Sequence, residues 1–128
     1  MNGNCIVDTN VIIRMFHADE RSIELFNQAD SICIPAIVAG ELFYGAQKSA
    51  LRQYNMVNFS NFLSLYEIIE VDLPIAQAYG EIKAQLKADG INIPENDLWI
   101  AATAKAKQCM LISYDEHFTN IAGLEVRS

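Results

Sequence analysis

A chain of 128 residues with 52% apolar composition has enough material for one packed core, so residues 1–128 are read as a single domain. No apolar run reaches the roughly 18 residues that span a bilayer, and the opening MNGNCIVDTN has no basic stretch ahead of an apolar one, which predicts a soluble, cytoplasmic protein with no membrane partner. A formal charge of −7 excludes a broad cationic face, so a polyanionic partner would need positive charge supplied from elsewhere.

Asn4 to Asp8 is a short apolar run that ends in Asp-Thr-Asn, which predicts a buried strand feeding a helix through Val11 to Phe16. Residues 20–30 carry Ile23, Leu25 and Phe26 on one side of a charged segment and predict a surface helix. A second strand is expected at about Ser31–Ile34. Pro35 then suits the first turn of a helix that runs past Glu41 towards Ser49. Gln53 to Tyr66 spaces Met56, Phe59, Phe62, Leu63 and Tyr66 by threes and fours, a further amphipathic helix.

Glu67–Val71 reads as a third strand, followed by a long helix over Leu73 to Lys87 with Ile75, Ala76, Tyr79, Ile82 and Leu86 inward and a stop at Gly90. Pro94 opens a helix whose first turn holds Glu95, Asn96 and Asp97; its body, LWIAATAKA, is too apolar to be exposed on most sides. Cys109–Ser113 is the fourth strand, Asp115–Asn120 a turn or short helix, and Leu124–Arg127 a weak final strand. Cys5, Cys33 and Cys109 lie in three of the strand-like runs without paired or zinc-like spacing, and read as small core residues.

Strands separated by helices along the whole chain imply parallel pairing and right-handed crossovers, hence an α/β fold with a three-layer α/β/α sandwich. Ligands of such sheets bind beyond the carboxyl ends of the strands, where the strand order reverses. Asp8 ends the first strand and Asp115 follows the fourth, so both leave the same sheet edge. Asp97 is in the first turn of the buried helix that leads into the fourth strand, a turn that lies across the same rim if the preceding connector returns over the sheet, and Glu41, about a turn and a half into its helix, could reach the site from the side.

Four converging carboxylates repel unless a cation joins them. Oxygen ligands favour Mg²⁺ or Mn²⁺ over zinc, and Mg²⁺ retains waters, one of which can be deprotonated for in-line attack on a phosphodiester; a second ion would hold the leaving oxygen as well. Each acid also has a plainer reading. Asp8 and Thr9 could cap a helix, Asp97 could offset a helix dipole, Asp115 could be a turn residue, and Glu41 could face solvent beside Gln47 and Lys48.

Four segments, CIVDTNVII, IPAIVAGELFYGA, INIPENDLWIAATA and MLISYDEHF, agree in order and spacing with one pattern over essentially the full chain. That pattern resembles the PIN-domain nucleases, and within them the VapC-type toxins of toxin–antitoxin pairs. The resemblance implies a five-stranded parallel sheet, Mg²⁺- or Mn²⁺-dependent endoribonuclease activity, homodimerisation and inhibition by a cognate antitoxin. It assigns Asp8, Glu41, Asp97 and Asp115 as the four acidic ligands and catalytic residues. Thr9 and Asn10 match the polar pair after the first aspartate, and Ser113 the hydroxyl residue ahead of the last acid.

The fourth acid varies between Asp and Asn in the family and has Glu116 beside it here; Asp115 is the choice. Asn96 either orients a ligand or opens its helix. His17 and His117 read as surface residues that the mechanism does not need, and Trp99 as core. Arg14, Lys48 and Arg52 follow two site segments and could line an RNA groove or be ordinary solvated charge. With no compact basic patch, substrate choice would rest on RNA shape and splayed bases, as in a structured RNA such as tRNA.

Two rivals remain. A phosphatase of the haloacid-dehalogenase type also ends its first strand in aspartate but wants a second aspartate where this chain has Asn10, and no lysine follows a late strand at the matching edge. A catalytically inactive PIN-like module binding RNA or protein would keep the fold without the chemistry, which the intact set of four acids disfavours.

Overall fold

Strand β1 (Asn4–Val7) carries Cys5, Ile6 and Val7, three successive residues with no solvent exposure. Because neighbouring strand residues point to opposite faces, consecutive burial requires cover on both sides of the sheet. The computed structural model describes residues 4–128 and supplies that cover. After β1 come α1 (Thr9–Phe16), α2 (Glu20–Gln28), β2 (Ser31–Pro35), α3 (Ala36–Gln47), α4 (Arg52–Leu63), β3 (Glu67–Ile69), α5 (Leu73–Ala88), α6 (Glu95–Ala106) and β4 (Met110–Ile112). A 3-10 turn (Glu116–Asn120) and β5 (Val126–Arg127) complete the chain.

The five strands among the described residues are all parallel, in the order β3-β2-β1-β4-β5. The path moves outward from β1 through β2 to β3, then crosses back to lay β4 on the other side of β1. Right-handed crossovers put α1–α4 on one face and α5–α6 on the other, which makes the three-layer α/β/α sandwich. The reversal falls between β1 and β4, and in sheets of this kind the expected ligand position is the crevice beyond the carboxyl ends of those two strands.

Core residues come from every layer. Leu98 and the run Ile100–Ala104 are buried, so α6 packs on most sides, against α5, α3 and β4. Helix α5 buries Ile75, Ala78, Ile82 and Leu86, with Ala76 and Tyr79 half-buried at its margin. It ends where Gly90 takes a left-handed φ of +72°, letting the Ile91 N–H reach back to the Leu86 carbonyl. The three cysteines are buried free thiols. Among the described residues no helix is long and apolar enough to cross a membrane.

Three expectations change. Pro35 ends β2 instead of opening α3: its φ of −61° suits either, but ψ of 142° keeps it extended. On α2 the buried face is Ser22, Leu25 and Phe26, while Ile23 turns outward, because the Ser22 hydroxyl is held by Asp19 and by Tyr114 from beyond β4. Trp99 is only half-buried, stacked on Tyr79 of α5 at 3.9 Å with the rings 8° from parallel.

Candidate active site

Asp8 sits at the crevice because pairing of β1 with β4 aligns Val7 with Ile112, and the Asp8 N–H continues the ladder to the Ile112 carbonyl at 2.9 Å. The carboxylate is buried, with 4% exposure, and both oxygens are engaged. Oδ1 accepts the Thr9 N–H at 2.7 Å, so Asp8 caps α1, and Oδ2 accepts the Ser113 hydroxyl at 2.7 Å. Capping and site placement are therefore one arrangement. Ser113, itself buried, takes the Asp115 N–H at 3.0 Å on its hydroxyl oxygen, so one side chain sets the positions of two acids.

Asp115 in turn caps the 3-10 turn, accepting the His117 N–H at 2.9 Å. Asp97 lies in the first turn of α6 with 13% of its side chain exposed. Glu41 projects from α3, where Thr9 donates its hydroxyl to Oε1 at 2.6 Å and Asn96 its amide to Oε2 at 3.4 Å. Asn96 thus orients Glu41 and makes no cap; α6 begins without a side-chain cap.

Asp8 feels the charges of Glu41 and Asp115, and Asp97 those of Asp115 and Asp8. Burial raises the Asp8 carboxyl above the ordinary range, the charges of Glu41 and Asp115 add to this, and the Ser113 and Thr9 hydrogen bonds offset part of it. Asp97 is pushed up to about 6, by burial first and then by the charges of Asp115 and Asp8, while its His117 contact acts the other way. Stripped of a cation, the site resists full ionisation.

His117 is at the surface, as its sequence suggests, and its ring also reaches the acids. Its ring is 48% exposed, as a surface residue should be, yet Nδ1 lies 3.0 Å from Asp115 Oδ1 and 3.3 Å from Asp97 Oδ2. One ligand atom from each of Asp97, Asp115 and His117 falls within 4.8 Å of the others. The contact raises the imidazole pKa through the Asp97 hydrogen bond, with the charges of Asp115 and Asp97 adding to it. The signal in the sequence was Asp115-Glu116-His117: in a turn capped by the first residue, the third folds back towards it. Ligands across one Mg²⁺ lie about 4.2 Å apart, given bonds of about 2.1 Å, so slight side-chain adjustment brings this oxygen-rich group onto one ion. The donor set fits a divalent cation.

Residues 5–124 match the PIN domain family. The chain is 37% identical over 112 residues to ribonuclease VapC2 of Haemophilus influenzae, covering 84% of this chain and 83% of that one. The chain belongs to the PIN domain nucleases, as a VapC-type member. A second relative, the tRNA(fMet)-specific endonuclease VapC of Shigella flexneri, is 28% identical over 122 residues and covers 93% of this chain and 92% of its own. Among solved structures, VapBC2 from Rickettsia felis bound to a DNA fragment from their promoter superposes with a TM-score of 0.89 at 29% identity, covering 98% of each chain. DNA-bound VapBC from Salmonella typhimurium gives 0.89 at 28% identity, covering 97% of this chain and 96% of that one.

PIN membership displaces the phosphatase rival; Asn10, at the position where that chemistry wants a second aspartate, accepts the Tyr114 N–H on Oδ1 at 3.3 Å and ties α1 to the segment after β4. Of the three basic residues, Arg14 lies 4.6 Å over the Tyr114 ring, one residue from both Ser113 and Asp115. Lys48 lies over Tyr44, and Arg52 donates to the Gln47 carbonyl, on the α3–α4 side of the molecule.

Proposed function

We propose that this chain is a divalent-metal-dependent endoribonuclease, acting as one domain over residues 1–128, and the toxin of a toxin–antitoxin pair. The observation that carries the reading is the gathering of Asp8, Asp97 and Asp115 at the strand-order reversal, where burial first, and then the charges of Asp115 and Asp8, lift Asp97 to about 6. Asp97 and Asp115 would hold the ion, with Asp8 and Glu41 completing the acidic rim. A bound Mg²⁺ or Mn²⁺ supplies Lewis-acid stabilisation of phosphoryl charge and a more acidic water.

The chain's own residues do the positioning. Ser113 and the Thr9 N–H fix the Asp8 carboxylate, while the Thr9 hydroxyl and Asn96 hold Glu41 at the margin of the site, where a carboxylate can take a proton from water. Arg14 lies over Tyr114, the residue between Ser113 and Asp115, and is the basic side chain assigned here to meet a phosphate. The name of the Shigella flexneri relative supports a structured RNA such as tRNA as the substrate. The VapBC complexes among the structural relatives support a cognate antitoxin as partner. Cytoplasmic residence and a homodimer belong to the same proposal.

The test is cleavage of total cellular RNA by the purified chain. Activity should need Mg²⁺ or Mn²⁺, stop with a chelator, and fall by at least about 100-fold in Asp8→Asn and Asp97→Asn while circular dichroism shows the fold kept. Equal cleavage by wild type and both variants would rule the reading out.

A further inference from the structure

We propose that His117 is a ligand of the divalent ion, giving this centre one nitrogen donor among carboxylates and a preference for Mn²⁺ over Mg²⁺. The inference rests on the metal-dependent reading above and deepens it. Among the described residues, Asp97, Asp115 and His117 are the one group of three metal-binding side chains whose ligand atoms crowd within 4.8 Å. The imidazole enters by backbone design. Asp115 caps the turn by accepting the His117 N–H, Phe118, fully buried, anchors the next residue in the core, and the His117 ring meets the carboxylates of Asp115 and Asp97.

The ring has solvent on its open side, yet Nδ1 faces the two carboxylates that would hold the ion. Chemistry then sets the preference. Mg²⁺ takes oxygen ligands and keeps several waters, so a nitrogen in its shell is a poor exchange. First-row transition ions accept imidazole more readily, and Mn²⁺ among them also suits a carboxylate-rich set. Zinc sites of related composition draw on two or more His or Cys side chains, and only one nitrogen is present here.

Pulsed electron paramagnetic resonance on the full chain loaded with Mn²⁺ tests this, since a directly bound imidazole gives the ion a nitrogen hyperfine coupling. The wild type should show that coupling, and it should change to the ¹⁵N pattern when histidine is ¹⁵N-labelled, a comparison that needs no variant. In His117→Gln the coupling should vanish. Calorimetric Mn²⁺ affinity should fall about tenfold or more, with Mg²⁺ affinity changing by less than about threefold. Mn²⁺ that binds the wild type and is lost in Asp97→Asn, but shows no nitrogen coupling, would overturn the His117 assignment and leave the metal centre standing. A wild type that binds no Mn²⁺ would remove the metal centre itself, and this inference with it.

Discussion

Asp97 shows what the site costs in stability. A carboxyl raised from the ordinary 3.8 to about 6 favours its neutral form in the folded chain, so the stability it contributes is full below pH 3.8 and is lost as pH rises through about 6. The raised Asp8 carboxyl and the raised His117 imidazole have the same sign. Asp19, Asp72 and Glu95 are held low by hydrogen bonds from Ser22, Lys107 and Tyr79 respectively, and lose their contribution only near or below pH 4. Chelator-treated protein should therefore melt at a higher temperature at pH 5 than at pH 7, and the difference should shrink when Mn²⁺ or Mg²⁺ is added; calorimetric scans at both pH values check this. Asp97→Asn should raise the metal-free stability at pH 7 by about 1 to 2 kcal/mol in urea unfolding, even as it removes activity.

At the scale of elements, much was readable because the sheet is buried on both faces. Runs such as CIVD and CMLIS are apolar throughout and end in polar residues, so the strands and the acids at their ends announce themselves together. The parallel order followed from the alternation with helices, and with it the edge shared by Asp8 and Asp115. What stayed hidden depended on side-chain partners from distant parts of the chain. Ser22 is buried in place of Ile23 because Tyr114 reaches it across 92 positions, and Trp99 finds its partner on α5. His117 looked dispensable because nothing local says that its turn folds against α6.

Ser113 joins the ends of β1 and β4 to the acids through two hydrogen bonds. Ser113→Ala leaves a buried carboxylate oxygen and the Asp115 N–H without that partner, so it should cost about 1 to 3 kcal/mol in urea unfolding. It should also weaken divalent-ion binding by about tenfold or more, measured by calorimetry.

For the whole molecule, the architecture resolves the conflict posed by a net charge of −7 in a protein that acts on a polyanion. Negative charge is gathered where the strand order reverses, and a divalent cation bound there would turn a repulsive spot into an attractive one. The sheet brings residues 8 and 115 together by direct strand neighbours, whereas 41 and 97 arrive on helices that pack against one another. Any ion that binds only the folded chain also stabilises it, coupling activity to fold. The measurement that bears most directly on this picture is anomalous diffraction at the manganese edge from crystals grown with MnCl₂. A peak touching Asp97 and Asp115 is expected in the crevice, absent from Asp97→Asn crystals; an empty crevice with RNA cleavage intact at the same Mn²⁺ concentration would rule out a metal centre there.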